Sequence, residues 1–299
     1  MSIHNLYGVE YGTDKIGGVK ALRIETGSES RNEVGDGGVY PTQAPIHAQN
    51  PMIEFTTRAI DTALGSIGAV GAAIGTVDFD AYAQAHDEGG TRKGASSHRQ
   101  YTVNEGLVVP RRLSCGHQDD AEITYEVLPT WNGTNDPIVI TDGVSLPSGF
   151  ADDERWTLGA CTIESFACPW LERLELDFGV EVRREGAASA IWPQFASIVT
   201  IKPRLTLRGI DPTWLKSTNI PFAGKAVTHA NTAVYLRKRS GASFASGSVH
   251  LKFTFCGLAY IDQALEADGS DPAGVSLVMP LLHDGTNNPV VVSQNQALP

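Results

Sequence analysis

Several features that mark common classes of protein are missing from this 299-residue sequence. It begins without the basic and then apolar segment of an export signal, and no apolar run is long enough to cross a membrane. We therefore expect a soluble protein made in a reducing compartment. There are only four cysteines and no C-x-x-C pair, and the cysteines are Cys115, Cys161, Cys168 and Cys256. This pattern predicts reduced, mostly buried thiols and no disulfide framework.

Positive charge is also scarce, with 23 Lys and Arg against 34 Asp and Glu. The imbalance lies mainly in residues 1–150, which carry 10 basic and 19 acidic residues, while residues 151–299 carry 13 and 15. A protein that wraps nucleic acid needs a basic surface, so this composition argues against that function. It does permit a surface along which DNA slides without binding.

Catalytic motifs are missing as well. The sequence has no G-x-S-x-G elbow, and the glycine-rich run 65–75 lacks the Gly-Lys-Ser/Thr of a phosphate loop. His86, Asp87 and Glu88 with His98 fit no closed zinc pattern. We therefore predict no catalytic residue, no cofactor and no metal site.

What the sequence does contain is a duplication. The segment 132–147, NGTNDPIVITDGVSLP, returns at 284–299 as DGTNNPVVVSQNQALP. Gly133, Pro137 and Pro147 each match the same residue type 152 positions later. A shared register of this length indicates one module written twice. We predict a first β module in residues 1–147 and a second in residues 148–299.

Each copy has the pattern of a mainly β module with one short flanking helix. Leu22 and Ile24 alternate as in a strand with one apolar face, and so do Leu174 and Leu176. Ile60 and Leu64 share one helical face, with Thr56 or Thr57 as the candidate N-cap, and in the second copy Asp211-Pro212 predicts a helix start. The repeated Gly-Thr-Asn turn followed by a β-branched strand predicts a β-hairpin that closes each module. The predicted fold class is therefore two tandem copies of a β-sandwich or barrel module.

The copies differ most in the charge of one region. The first copy is acidic there and the second is basic. We predict that these charged residues lie in loops at subunit interfaces, where the acidic loop of one unit faces the basic loop of another. The candidate interface residues are Asp78, Asp80, Asp87, Glu88, Arg237, Lys238 and Arg239.

Two matched pairs have more than one interpretation. His98 and His250 hold equivalent positions, either as a paired ligand or base, or as strand histidines kept for a hydrogen bond, which is the favoured interpretation. Tyr40-Pro41 matches Trp192-Pro193. These aromatics are either platforms for sugars or, as we favour, a shared core or strand-edge anchor.

With its two strand-rich modules, each carrying one short helix after the Pro51 or Pro203 segment, the chain resembles a bacteriophage tail tube protein of the duplicated kind. That resemblance implies a tube module with a flanking helix and rings of six modules, so that three chains form a pseudo-hexameric ring. It also implies stacking of the rings, contact with other tail proteins, and passage of DNA without specific binding. The implied location is the virion tail, assembled in the host cytoplasm.

Two other classes stay open at this point. A tandem β-sandwich binding module, either lectin-like or a capsid decoration protein, has the same pattern. An enzyme with a site between the two modules is the third class.

Overall fold

The computed structural model describes residues 3–32, 34, 39–41, 45–150, 154–163, 166–187, 190–209, 220, 227–266 and 274–299. The described part is mainly β, which confirms the predicted fold class at that level. Its one helix, α1 (Ile60–Ser66), lies in the first half of the chain. The predicted second helix at Asp211 lies outside the described residues.

Twelve strands come from the first half. They are β1 (Ile3–Tyr11), β2 (Asp14–Ile16), β3 (Val19–Glu25), β4 (Ser28–Ser30), β5 (Ile46–Gln49), β6 (Met52–Thr57), β7 (Ala72–Ile74), β8 (Phe79–His86), β9 (His98–Val103), β10 (Gly106–Gly116), β11 (Glu122–Pro129) and β12 (Val139–Val144).

Eleven strands come from the second half. They are β13 (Trp156–Ile163), β14 (Phe166–Ala167), β15 (Leu171–Asp177), β16 (Val180–Glu185), β17 (Phe195–Ile201), β18 (Arg204–Gly209), β19 (Val227–Ser240), β20 (Ser243–Phe244), β21 (His250–Glu266), β22 (Gly274–Pro280) and β23 (Val290–Gln296).

The two halves use the same strands at an interval of 152 residues. β15 begins and ends 152 residues after β3, and β18 does so after β6. The pairing registers agree too: Leu22 lies opposite Phe55, and Leu174 lies opposite Leu207. Even a register irregularity recurs, since Ser30 pairs with Ile46 next to a shift, as Val182 pairs with Ile198. The duplication read from the sequence therefore extends to backbone pairing.

Each half is built from two facing sheets. In the first half one sheet has the order β12-β9-β8-β1-β2, and the other has the order β10-β11-β6-β3. The rings of Phe55 on β6 and Phe79 on β8 lie 5.5 Å apart, so the apolar faces of the two sheets meet in one core. In the second half the long strand β21 pairs with β19 and β23 at one end and with β22 at the other, so it belongs to both sheets.

The predicted closing hairpin is wrong in both halves. β12 pairs with β9, while β11 pairs with β10 and β6. In the second half β23 likewise pairs with β21, and β22 pairs with β18 and β21. The Gly-Thr-Asn segment thus crosses from one sheet to the facing sheet. It does form the predicted turn, because the side chain of Asn132, like that of Asp284, accepts hydrogen bonds from the backbone two and three residues later.

The helix is held at its start by a residue from the other half. Its buried face contains Ile60 and Leu64, as predicted, but Thr57 does not cap it. Instead the carboxylate of Glu154 accepts hydrogen bonds from the Asp61 amide at 2.6 Å and the Thr62 hydroxyl at 2.8 Å. The indole of Trp156 donates a third bond to it at 2.7 Å. An anion at a helix N-terminus is favourable because the first amides have no partner within the helix.

Candidate assembly surfaces

One hydrogen-bonded seam joins the two halves. β10 of the first half pairs with β15 of the second, with Leu113 opposite Leu176 and Cys115 opposite Leu174. All four of these side chains are buried. Because the seam continues the sheet from one half into the next, eight strands follow one another in the order β21-β22-β18-β15-β10-β11-β6-β3. The predicted boundary at residue 147 stays a prediction, since this sheet crosses it.

The strands at the two ends of this order are the counterparts of the strands that meet in the seam. β3 corresponds to β15, and the end of β21 corresponds to the end of β10. Within the part of the chain that is described, β3 pairs only with β6. Leu174 and Leu176 are buried on β15, whereas the equivalent Leu22 and Ile24 are only half-buried on β3. The difference follows because no described strand pairs with the other side of β3.

A second contact between the halves is made by a two-stranded arm. The arm of the second half consists of β16, β17 and the residues between them, including Ile191, Trp192 and Pro193. Its tip lies on the first half, where the Trp192 indole donates a 2.7 Å hydrogen bond to the side chain of Gln49. The rings of Trp192 and Trp131 lie 6.0 Å apart.

Backbone hydrogen bonds fix this arm in place. The amide of Gln49 donates to the Ile191 carbonyl, and the amide of Trp131 donates to the Pro193 carbonyl, both at 2.7 Å. The Arg184 guanidinium donates to the carbonyl of Pro51 at 2.7 Å. Trp192 is therefore an anchor between the halves, but the predicted anchor shared by both aromatics is wrong for Tyr40. Its counterpart Tyr40 is 81% exposed and makes no such contact within the described residues.

The two histidines at equivalent positions accept hydrogen bonds from backbone amides. His98 Nδ1 accepts a 3.0 Å hydrogen bond from the amide of Ala85, and His250 Nδ1 accepts a 3.1 Å bond from the amide of Lys238. Both side chains are buried. Burial lowers the pKa of each imidazole, and nearby Arg92 and Arg237 lower the pKa of His98 and His250, respectively. Each ring is thus held neutral as a hydrogen-bond acceptor, which is the favoured interpretation of this pair.

The acidic candidate residues are only partly in loops. Asp80 lies in β8, where it accepts a 2.6 Å hydrogen bond from the hydroxyl of Thr102, so its placement in a loop is corrected. Asp78 is exposed just before β8, and Asp87 follows it, accepting a 2.8 Å hydrogen bond from the Thr91 amide. Glu88 is exposed in the same turn.

The basic candidates all lie in a strand. Arg237, Lys238 and Arg239 belong to β19, so the loop prediction is wrong for them as well. The Arg237 guanidinium lies 3.9 Å from the ring centre of Phe244, and Arg239 lies 3.7 Å from the Asp120 carboxylate. A strand can carry long basic side chains when neighbouring groups hold them in place. The charge of a sequence segment does not reveal whether such groups are present. The role of both sets at subunit interfaces stays a prediction.

One charged hollow in the described part of the molecule has as many basic as acidic side chains in its lining. It is a cavity of about 400 Å³, lined by Lys20, Arg58, Ser114, Cys115, Gly116, Asp119, Asp120, Glu122 and Arg173. Lys20 pairs with Glu122 at 2.8 Å, and Arg58 lies 3.5 Å from Asp120. Burial raises the pKa of the Cys115 thiol to about 12, so the thiolate that a nucleophile needs is disfavoured. All four cysteines are free and buried, as predicted.

Among the described residues, no group of three or more His, Cys, Asp or Glu side chains is placed to hold a metal ion. No helix in the same set is long and apolar enough to cross a membrane. Comparison with protein-family models and with curated proteins gives no match to this chain.

Proposed function

We propose that this protein is a structural subunit that assembles with copies of itself, and that the assembly is a bacteriophage tail tube. The observation that carries the proposal is the seam between β10 and β15. It joins two equivalent modules through non-equivalent edges, and among the described residues it leaves β3, the counterpart of β15, with one open edge. A contact of this head-to-tail type repeats from one copy to the next and closes into a ring when the rotation permits.

The open edge of β3 supports repetition of the seam. An edge strand with a half-buried apolar row is a template for pairing with another chain, and native proteins cover such edges. β3, with Leu22 and Ile24, has the register positions through which β15 meets β10. In the assembly, β3 of one copy pairs with the end of β21 in the preceding copy. Three chains of two modules then form a pseudo-hexameric ring, and rings stack in the virion tail after assembly in the host cytoplasm, where other tail proteins join them.

The charge on the joined sheet fits a surface that DNA passes without binding. Basic side chains on its solvent face are paired with carboxylates: Arg112 with Glu175 at 2.8 Å, and Lys20 with Glu122 at 2.8 Å. Arg111 is paired with Glu126 in the same way. Phosphate binding requires basic groups that are free to replace counterions, and paired ones provide little attraction.

Electron microscopy and mass measurement of the purified chain test this proposal. We expect rings or stacked tubes built from three-chain units. A protein that stays monomeric at the highest soluble concentration would refute it, and retention of that monomer on a glycan array would favour the lectin-like alternative.

A proline in the open edge provides a sharper version of this test. Ala21 is exposed on β3 and lies beside a register shift, where strands tolerate proline. Ala21→Pro is expected to abolish rings while the circular dichroism of the chain is unchanged. The matched control is Thr141→Pro in β12, an exposed position on the edge strand of the other sheet, which should leave ring formation intact.

A further inference from the structure

The groove that receives the Trp192 arm in the first half has a counterpart in the second half. Beside Trp192 a residual cavity of about 190 Å³ remains, lined by Thr26, Gln49, Pro51, Asp136, Pro137 and Ile138. Six residues that lie 152 positions later line another cavity, of about 240 Å³: Phe178, Ile201, Pro203, Asn288, Pro289 and Val290. The two hollows are therefore the same site in the two modules.

At two lining positions the residue of the second-half cavity is more exposed than its first-half counterpart. Pro137 is buried beneath the arm, while its counterpart Pro289 is half-buried. Gln49 is half-buried, while its counterpart Ile201 is 38% exposed. His283, in the position of Trp131, also lines this cavity and is exposed. Exposed apolar groups beside a concave site are typical of a surface that binds a partner.

A matching arm tip is present in the chain and is exposed. Val39, Tyr40 and Pro41 stand 152 positions before Ile191, Trp192 and Pro193. Val39 is 85% exposed and Tyr40 is 81% exposed, although both are large apolar or aromatic side chains. Among the described residues, the first-half arm tip thus lies in no groove, and the second-half groove holds no arm tip, although Ala69 and Val70 of the first half also line its cavity.

We propose that Tyr40 of one copy of this protein fills the cavity between Phe178 and Val290 of another copy. The direction of the contact inside the chain determines this choice of partner. There the arm of one module lies on the module that precedes it, so the first-half arm requires a preceding second half, which belongs to another copy. This is the direction in which β3 would meet β21 of that same copy.

The contacts within the chain specify the contacts between copies. The Ile201 amide takes the place of the Gln49 amide and donates to the Val39 carbonyl, and the His283 amide donates to the Pro41 carbonyl. The Tyr40 ring lies against the His283 imidazole as Trp192 lies against Trp131. Ile201 offers no side-chain acceptor, so the Tyr40 hydroxyl instead bonds with Asn288, which lines the cavity.

Cross-linking between two singly substituted chains tests the contact directly. Tyr40→Cys and His283→Cys chains are mixed and treated with a short bismaleimide. Because the equivalent rings of Trp192 and Trp131 are 6.0 Å apart, we expect a covalent dimer that neither chain gives alone. The wild-type chain, whose own thiols are buried, is the reagent control. Tyr40→Cys mixed with Thr141→Cys is the position control.

The inference rests on the proposed self-assembly, and the outcomes separate the two. Rings without the cross-link would overturn the Tyr40 contact and leave the tail tube proposal standing. The cross-link without rings or tubes would support the contact and overturn the tail tube. The absence of both would overturn both.

Two substitutions change the strength of the contact in opposite directions. Tyr40→Asp places a charge in the apolar cavity and is expected to weaken association at least tenfold, without loss of monomer stability at this exposed position. Tyr40→Trp combined with His283→Trp recreates the Trp131–Trp192 pair between chains. It should tighten association by roughly threefold to tenfold. Equal association of all three proteins would refute the proposed contact.

Discussion

The two halves of this chain have equivalent strands, with one register in the β3–β6 and β15–β18 pairs, but only the first is covered by a following module. In the first half the edge strand β10 is paired, the groove beside Pro51 contains Trp192, and α1 is capped by Glu154. In the second half the equivalent groove contains no arm among the described residues. The difference shows that a module of this kind is completed by the module after it.

This comparison also explains why some residues at equivalent positions differ in exposure. Trp192 is half-buried and Tyr40 is exposed, because Trp192 has a preceding module within the same chain and Tyr40 has none. Matched positions of the two halves therefore have different environments, depending on whether another module precedes them in the chain. Substitutions at matched positions measure how much stability each half takes from the other.

The largest effect is expected from Glu154, which ties the start of the second half to the helix of the first. Glu154→Ala removes three hydrogen bonds to a carboxylate that is only 8% exposed. We expect a loss of about 3 kcal/mol in the free energy of unfolding, since the helix amides lose their anionic partner. Urea denaturation measures it, and Glu185→Ala, at an exposed position, is the control. A loss below about 1 kcal/mol would mean that water replaces the carboxylate without cost.

The second-largest effect on stability is expected at the two arm tips, where Trp192 and Tyr40 should differ. Trp192→Ala should lower the unfolding free energy of the monomer by about 2 kcal/mol, because a half-buried aromatic and its hydrogen bond to Gln49 are lost. Tyr40→Ala should change it by less than about 0.5 kcal/mol, since the side chain is exposed. Urea denaturation at low protein concentration provides both values. Similar losses for the two variants would show that the Tyr40 arm already has a partner within its own chain.

The sequence was sufficient for the features that depend on local pattern. The alternation of Leu22 and Ile24 indicated β3, the spacing of Ile60 and Leu64 indicated α1, and the duplication indicated that both halves share one register. The lone cysteines indicated buried thiols. In each case the signal lies within a few residues, or in a comparison of two segments of the same sequence.

Features that depend on partners distant in the chain were not predictable. The turn at Asn132 is a turn in any pairing, and local pattern does not show whether β12 returns to its own sheet or crosses to the facing one. The seam between β10 and β15 joins edges whose residues resemble those of any half-exposed strand. Charge misled as well, since Arg237 and Arg239 are accommodated in a strand by Phe244 and Asp120.

A smaller and equal effect in both halves is expected at a matched pair of glycines. Gly27 and Gly179 adopt φ of +55° and +57°, and a methyl group at either would overlap the carbonyl oxygen of Asn50 or Lys202. Gly27→Ala and Gly179→Ala should each cost about 1.5 kcal/mol, because the left-handed conformation and the close approach exclude a side chain. Gly241→Ala, at φ +59° with open space, isolates the conformational part. Unequal losses at Gly27 and Gly179 would show that the two halves differ in backbone conformation at these matched positions.

The smallest effect comes from the two buried histidines, and it also should be equal in both halves. Burial lowers the pKa of His98 and His250 in the folded state, so the unfolded chain binds the proton more readily. Their contribution to stability is therefore complete above the ordinary histidine pKa of about 6.5 and is lost as the pH falls below it. Between pH 7 and pH 5 each histidine should therefore account for part of the loss in the free energy of unfolding. His98→Asn and His250→Asn keep an acceptor for the Ala85 and Lys238 amides but do not titrate, so each should remove its share of that loss. His47→Asn, at an exposed position, is the control. A pH dependence of stability that survives both buried substitutions would place the titrating group elsewhere. A pH dependence that falls in only one of the two variants would show that the halves differ in how tightly they exclude water from the same site.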